Sequence, residues 1–146
     1  MKKKIIRVAL ALVVLMALIQ LIPVHRNNPK VTEDIDAPPE IKRILTASCY
    51  DCHSNLTKWP FYSHIAPVSW LLAYDVNKGR SLMNFSRWDT YPDARKESFK
   101  SEIYSMTANK IMPLPKYLIM HPKARVDSAS LAKLEQWSSF PNVYSY

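Results

Sequence analysis

The sequence predicts an all-α protein: three to five short helices joined by Pro-rich loops, preceded by an N-terminal transmembrane helix. Three observations lead there. After residue 40 the apolar residues recur at spacings of three and four, and no stretch shows the alternation of a half-buried strand. The 146 residues include eleven prolines and one glycine, which suits short helices with stiff connections. The chain also opens on a basic cap, Met1-Lys2-Lys3-Lys4, followed by a largely apolar run from Ile5 to Ile22. There is no internal repeat, and the length suits one domain with an extension.

Residues 1–23 are expected to anchor the protein. Eighteen residues at helical rise cover about 27 Å, near the roughly 30 Å of a hydrocarbon core. The basic flank predicts a cytoplasmic N-terminus, hence a single-pass inner-membrane protein with its C-terminal domain facing the periplasm. After the run, Pro23-Val24-His25 shows no small-residue cleavage pattern, which favours an anchor over a cleaved signal. Residues 24–39 are polar, Pro-rich and aperiodic. They read as a tether of about 15 residues that would let the head swing between membrane partners.

Residues 40–146 form the expected domain. Ile41, Ile44 and Leu45 place a helix from Glu40, with Cys49 on the same face. Residues 54–64 read as loop. Pro67 is expected to open a helix striped by Val68, Leu71, Leu72 and Val76, with Gly79 at its C-terminus in a left-handed conformation. Pro92 opens a third helix to about Ala108, with Phe99, Ile103 and Met106 inward. Pro113 and Pro115 make 110–117 non-helical. Asp127 or Ser128 caps a last helix carrying Leu131, Leu134 and Trp137, before a short aromatic tail from Phe140 to Tyr146.

Chemistry concentrates in Cys49-Tyr50-Asp51-Cys52-His53. Cys-x-x-Cys-His is the attachment signature of a c-type haem. Two thiols at this spacing can add across the two vinyl groups on one porphyrin edge, and the next histidine can ligate the iron from below. These are the chain's only two cysteines, so none is left for a disulfide or a separate nucleophile. A redox dithiol would follow a strand in a βαβ pattern, which is missing here. A zinc site would have to recruit His64 and His121, which are far apart in sequence. The fold class narrows accordingly to a small cytochrome-c-like domain.

The opposite face of the iron decides between electron transfer and ligand chemistry. Met112, on a proline-bounded loop, is the first candidate, with His121 as rival and an open site as the third reading. Met106 sits on a helix stripe and is expected in the core. Trp59, Trp70 and Trp88 are expected in the shell of the haem pocket. The net charge of +8 falls to +4 beyond Lys2, Lys3, Lys4 and Arg7. That mild excess suits an acidic redox partner or a place near anionic lipid, and equally a plain solvated surface. No basic run follows the N-terminus, so nucleic acid binding is not expected.

The chain resembles the bacterial haem-binding domain family, a group of anchored, c-type-cytochrome-like proteins. The resemblance rests on Cys49-Tyr50-Asp51-Cys52-His53-Ser54-Asn55, Trp59-Pro60-Phe61-Tyr62-Ser63, Ile65-Ala66-Pro67-Val68-Ser69-Trp70-Leu71 and Asn84-Phe85-Ser86-Arg87-Trp88. Met112-Pro113, Tyr117 and His121-Pro122-Lys123-Ala124 continue it. It implies covalent haem with His53 proximal and Met112 in the family's Met-Pro loop. The family usually carries a glycine before that methionine and adjacent prolines after it. Here Asn109 is the residue available for a left-handed turn, and Leu114 separates Pro113 from Pro115. The expected function is that of a monohaem electron carrier. The alternatives are a haem enzyme or sensor with an exchangeable distal ligand, or a haem-free thiol or zinc module.

Overall fold

The computed structural model describes residues 1–139; the tail expected from Phe140 to Tyr146 lies outside them. Among the described residues all regular structure is helical apart from one isolated bridge between Glu33 and Arg87. The helices are α1 (Lys2–Ile19), α2 (Pro39–Ser48), α3 (Tyr50–His53), α4 (Val68–Leu82), α5 (Asp93–Ala108), α6 (Pro115–Met120) and α7 (Ser128–Ser139). Short 3-10 turns cover Phe61–His64, Trp88–Thr90 and Pro122–Ala124. The helices outnumber the expected three to five because prolines divide the connections into single turns. Pro115, for example, starts α6 inside a stretch expected to be irregular, where a proline at the first helical position costs no hydrogen bond.

The expected transmembrane helix is corrected. Among the described residues no helix is long and apolar enough to cross a membrane. Helix α1 has 18 residues, but Lys2, Lys3, Lys4 and Arg7 all lie within it. Its uncharged part, Val8 to Ile19, spans about 18 Å of the roughly 30 Å needed. The helix also stops at Ile19 rather than Ile22. Gln20 then turns onto the domain, its Oε1 accepting from the Ala66 N–H at 2.9 Å and its Nε2 donating to the Ala66 carbonyl at 3.2 Å. The single-pass inner-membrane placement with a periplasmic domain, which rested on residues 5–22, falls with the span.

Residues 24–39, expected as a tether, make hydrogen bonds to the domain. Arg26 donates to the Ser63 carbonyl at 3.1 Å and Asn28 to the Thr57 carbonyl at 2.9 Å. The Asn55 amide donates to the Lys30 carbonyl at 2.9 Å, the Thr32 N–H to Ser86 at 3.0 Å, and the Trp88 N–H to Glu33 at 3.0 Å. Ile35 is fully buried in the core. A stretch with no period of its own thus takes its structure from partners elsewhere in the chain.

The core joins Ile35, Ile41, Leu45, Tyr50, Phe85, Trp88, Phe99, Ile103 and Leu134. Helices α5 and α7 pack side by side, and Leu134 and Trp137 turn inward as their spacing predicts. Asp127 caps α7, its carboxylate accepting the Ser130 N–H at 2.7 Å. Met106, expected inside, is 43 % exposed, because the buried stripe of α5 runs through Phe99 and Ile103. Gly79 lies inside α4 with right-handed backbone, and the helix runs on to Leu82. Its real constraint is contact: a Cβ there would run into the Cys52 carbonyl oxygen. Glycine at this position lets α4 lie directly against the Cys-x-x-Cys-His turn.

Candidate functional site

The motif forms one helical turn. Cys49 caps both α2 and α3: its N–H donates to the Leu45 carbonyl at 2.8 Å, and its carbonyl takes the Cys52 N–H at 3.1 Å and the His53 N–H at 2.9 Å. Cys49 and His53, four apart, share a face that adjoins the core, while Cys52 faces a neighbouring cleft. His53 is fixed at two points. Its Nδ1 lies 3.1 Å from the Met83 carbonyl, and its own carbonyl accepts the Phe85 N–H at 2.7 Å. The ring lies 6.1 Å from that of Phe85. An Nδ1–H bonded to a carbonyl sets the tautomer and leaves the lone pair on Nε2. Burial also pushes the imidazole below its ordinary pKa, which keeps it neutral.

Burial has the opposite effect on the thiols. Cys49 is pushed up to about 12, with the neighbouring Cys52 adding to burial. Cys52 is pushed up to about 11, with Asp51 and Asp75 adding to burial. A reactive redox dithiol needs the reverse, a thiolate stabilised near neutral pH. Among the described residues no group of three His, Cys, Asp or Glu side chains comes together to hold a metal ion. The thiol and zinc alternatives therefore gain nothing from the fold.

The cleft beside Cys52 has a volume of about 290 Å³. Val68, Leu71, Leu72 and Val76 of α4 form one wall, and Leu114, Tyr117, Met120 and His121 the other. Polar bonds tie the second wall down. Tyr117 donates to Asp51 at 2.7 Å, Lys116 pairs with Asp75 at 2.9 Å, and the Tyr62 hydroxyl bonds His121 Nε2. Burial first and Asp51 second push the Tyr117 hydroxyl well above its ordinary range, so it stays a donor. The Tyr117 and His121 rings stack at 4.2 Å and 9°.

The expected site residues separate into three groups. Cys52 and His121 meet at the cleft, and Cys49 and His53 lie on the adjoining face of the same turn. Met112 is partly buried in the turn between α5 and α6, two residues before the cleft-lining Leu114. The left-handed residue before it is Lys110, φ 58°, while Asn109 is right-handed at φ −81°. The N–H groups of Ile111 and Met112 both reach the Met106 carbonyl, at 2.9 and 3.1 Å. None of the three tryptophans lines the cleft. Trp88 lies in the core 6.4 Å from Phe85, and so supports the ring that packs on His53. Trp59 and Trp70 are partly buried, and their indole N–H groups have no partner among the described residues.

Sequence reasoning missed the Asp51–Tyr117 and Asp75–Lys116 ties. Asp51 occupies a variable position of the motif, and its partner is 66 residues away. No local signal marks such a pair.

A Cys-x-x-Cys-His turn with its imidazole held through Nδ1, and an apolar cleft beside its second cysteine, define an all-helical domain that carries the residues of a haem-attachment motif. The chain belongs to the haem-binding domain family, whose model matches residues 14–139. No curated protein and no solved structure shows significant similarity to it.

Proposed function

We propose that the protein binds one haem covalently, as haem c, and carries electrons. The observation that carries the proposal is the one-turn motif with His53 Nδ1 held on the Met83 carbonyl beside the cleft that receives Cys52. Cys49 and Cys52 would each form a thioether. The sulfur bonds one vinyl carbon and the thiol hydrogen goes to the other, so no oxidant is consumed. His53 would supply the proximal nitrogen. When bound, haem supplies a one-electron iron couple. The protein excludes water with the walls of α4 and α6, and it fixes the imidazole through Met83 and Phe85.

Met112 is the proposed sixth ligand, because hydrogen bonds fix the turn that carries it and that turn leads straight into the cleft wall. A thioether ligand raises the midpoint potential, as does burial, to which Trp59, Trp70 and, through Phe85, Trp88 would contribute. A second reading assigns the ligand to His121, favoured by its place in the cleft. Replacing each residue by Ala separates the two. Met112→Ala should change the oxidised spectrum and lower the midpoint potential, while His121→Ala should leave both. The reverse pattern moves the role to His121. The reduced protein should bind no carbon monoxide; rapid, complete binding at neutral pH would count for an exchangeable distal site and against the carrier.

A further inference from the structure

A second concavity lies on the other side of the motif, and the fold creates it from residues that are scattered in the sequence. The groove, about 350 Å³, runs between α2 and the segment from Lys123 to Lys133. Four cations line it, Arg43, Lys123, Arg125 and Lys133, against two carboxylates, Glu40 and Asp127. Both carboxylates are already engaged: Glu40 pairs with Lys133 at 3.2 Å, and Asp127 caps α7. Arg43, Lys123 and Arg125 are exposed and have no carboxylate or hydrogen-bond partner among the described residues. The sequence shows no basic run here because Arg43 comes from α2 and the others from some eighty residues later. Only the packing of α2 on α7 and on the Pro122–Ala124 turn assembles them.

We infer that this groove is the docking face for an acidic redox protein. The inference rests on the carrier reading above. Ser48, which lines the groove, is bonded to Cys49, so a partner seated there would lie against the attachment turn. Three cations without a partner among the described residues steer an acidic surface to that place. Two of them are guanidinium forks that can take carboxylates in a bidentate manner. Among the described residues no aromatic side chain lines the groove, so a protein partner is the better match than nucleic acid.

The test uses the haem-loaded protein and an acidic plant-type [2Fe–2S] ferredoxin as electron donor, with the second-order rate followed at low and high salt. Arg43→Gln/Arg125→Gln should slow the reaction roughly tenfold at low salt and flatten its salt dependence. Lys78→Gln/Arg87→Gln removes the same charge from exposed positions outside the groove and should leave the rate within about twofold. Equal slowing in both pairs, or in neither, overturns the inference. A second readout needs no haem. A short polyglutamate peptide titrated into the protein should shift amide resonances at Arg43, Ala47, Lys123 and Arg125, and a single-stranded oligonucleotide of equal charge should not do so more strongly. Groove-confined shifts in a protein that takes no haem would sink the carrier reading alone. Scattered or absent shifts, or a stronger response to the oligonucleotide, sink the docking face whatever the haem does.

Discussion

His53 shows how much of a ligand's preparation can be done by main-chain atoms. Its ring is aimed by the Met83 carbonyl, its backbone is held by Phe85, and Gly79 allows α4 close enough to supply that framework. Gly79→Ala would press a methyl group onto the Cys52 carbonyl, which belongs to rigid backbone and cannot step aside. The expected cost is about 2–3 kcal/mol, read as a lower midpoint in chemical denaturation, together with reduced haem occupancy. An unchanged midpoint would mean that α3 and α4 do not meet so closely. The thiols give a pH prediction. Cys49 in the folded protein is raised from 9.0 to about 12, so the native state holds a proton that the unfolded chain releases. Its contribution is complete below pH 9 and is lost as pH climbs towards 12. The haem-free protein should therefore lose thermal stability over that range, and Cys49→Ala should lose less; equal losses would contradict the burial of Cys49.

At the scale of elements, α6 is the piece to test. It has no buried residue, and its polar ties to α3 and α4 end on Asp51 and Asp75. Tyr117→Phe removes a partly buried bond to a carboxylate, worth about 1–2 kcal/mol, and should raise amide exchange in residues 115–121 before the rest of the domain. Exchange that rises uniformly would argue that α6 is not held separately. The turn before it contains Lys110 at φ 58°, a region that disfavours residues with a Cβ. Lys110→Gly should stabilise the protein by about 0.5–1 kcal/mol, measured by urea denaturation, since the native angle suits glycine. A loss of stability would place the left-handed residue elsewhere.

For the whole molecule, what was legible in the sequence was what local pattern encodes. The Ile41–Leu45 stripe, the Phe99–Ile103 stripe and the Asp127 cap were all readable because their partners lie within a few residues. Pairings across the chain were not. Gly79 looked like a helix terminator until Cys52 appeared against it. Residues 26–35 looked like free linker because most of their hydrogen bonds go to residues 42–89. The apolar N-terminus looked long enough to span a membrane until the helix was seen to enclose four cations and to end at Ile19. Arg80 summarises the long-range part. Its guanidinium holds the Ser54 and Asn27 carbonyls, the Asn28 side chain and the Thr57 hydroxyl at once, joining the N-terminal segment to the residue after His53. Arg80→Met should cost about 2–3 kcal/mol and open residues 24–38 to limited proteolysis; continued resistance there would show the segment to be held without it.

The most direct test of covalent haem binding is made on the denatured protein. Wild-type chain produced in cells competent for haem attachment should keep its haem through denaturing electrophoresis, staining for peroxidase activity and showing in its intact mass the addition of one haem. The Cys49→Ala/Cys52→Ala variant should stain blank. A wild-type chain that releases all its porphyrin on denaturation, or that never acquires any, contradicts the account.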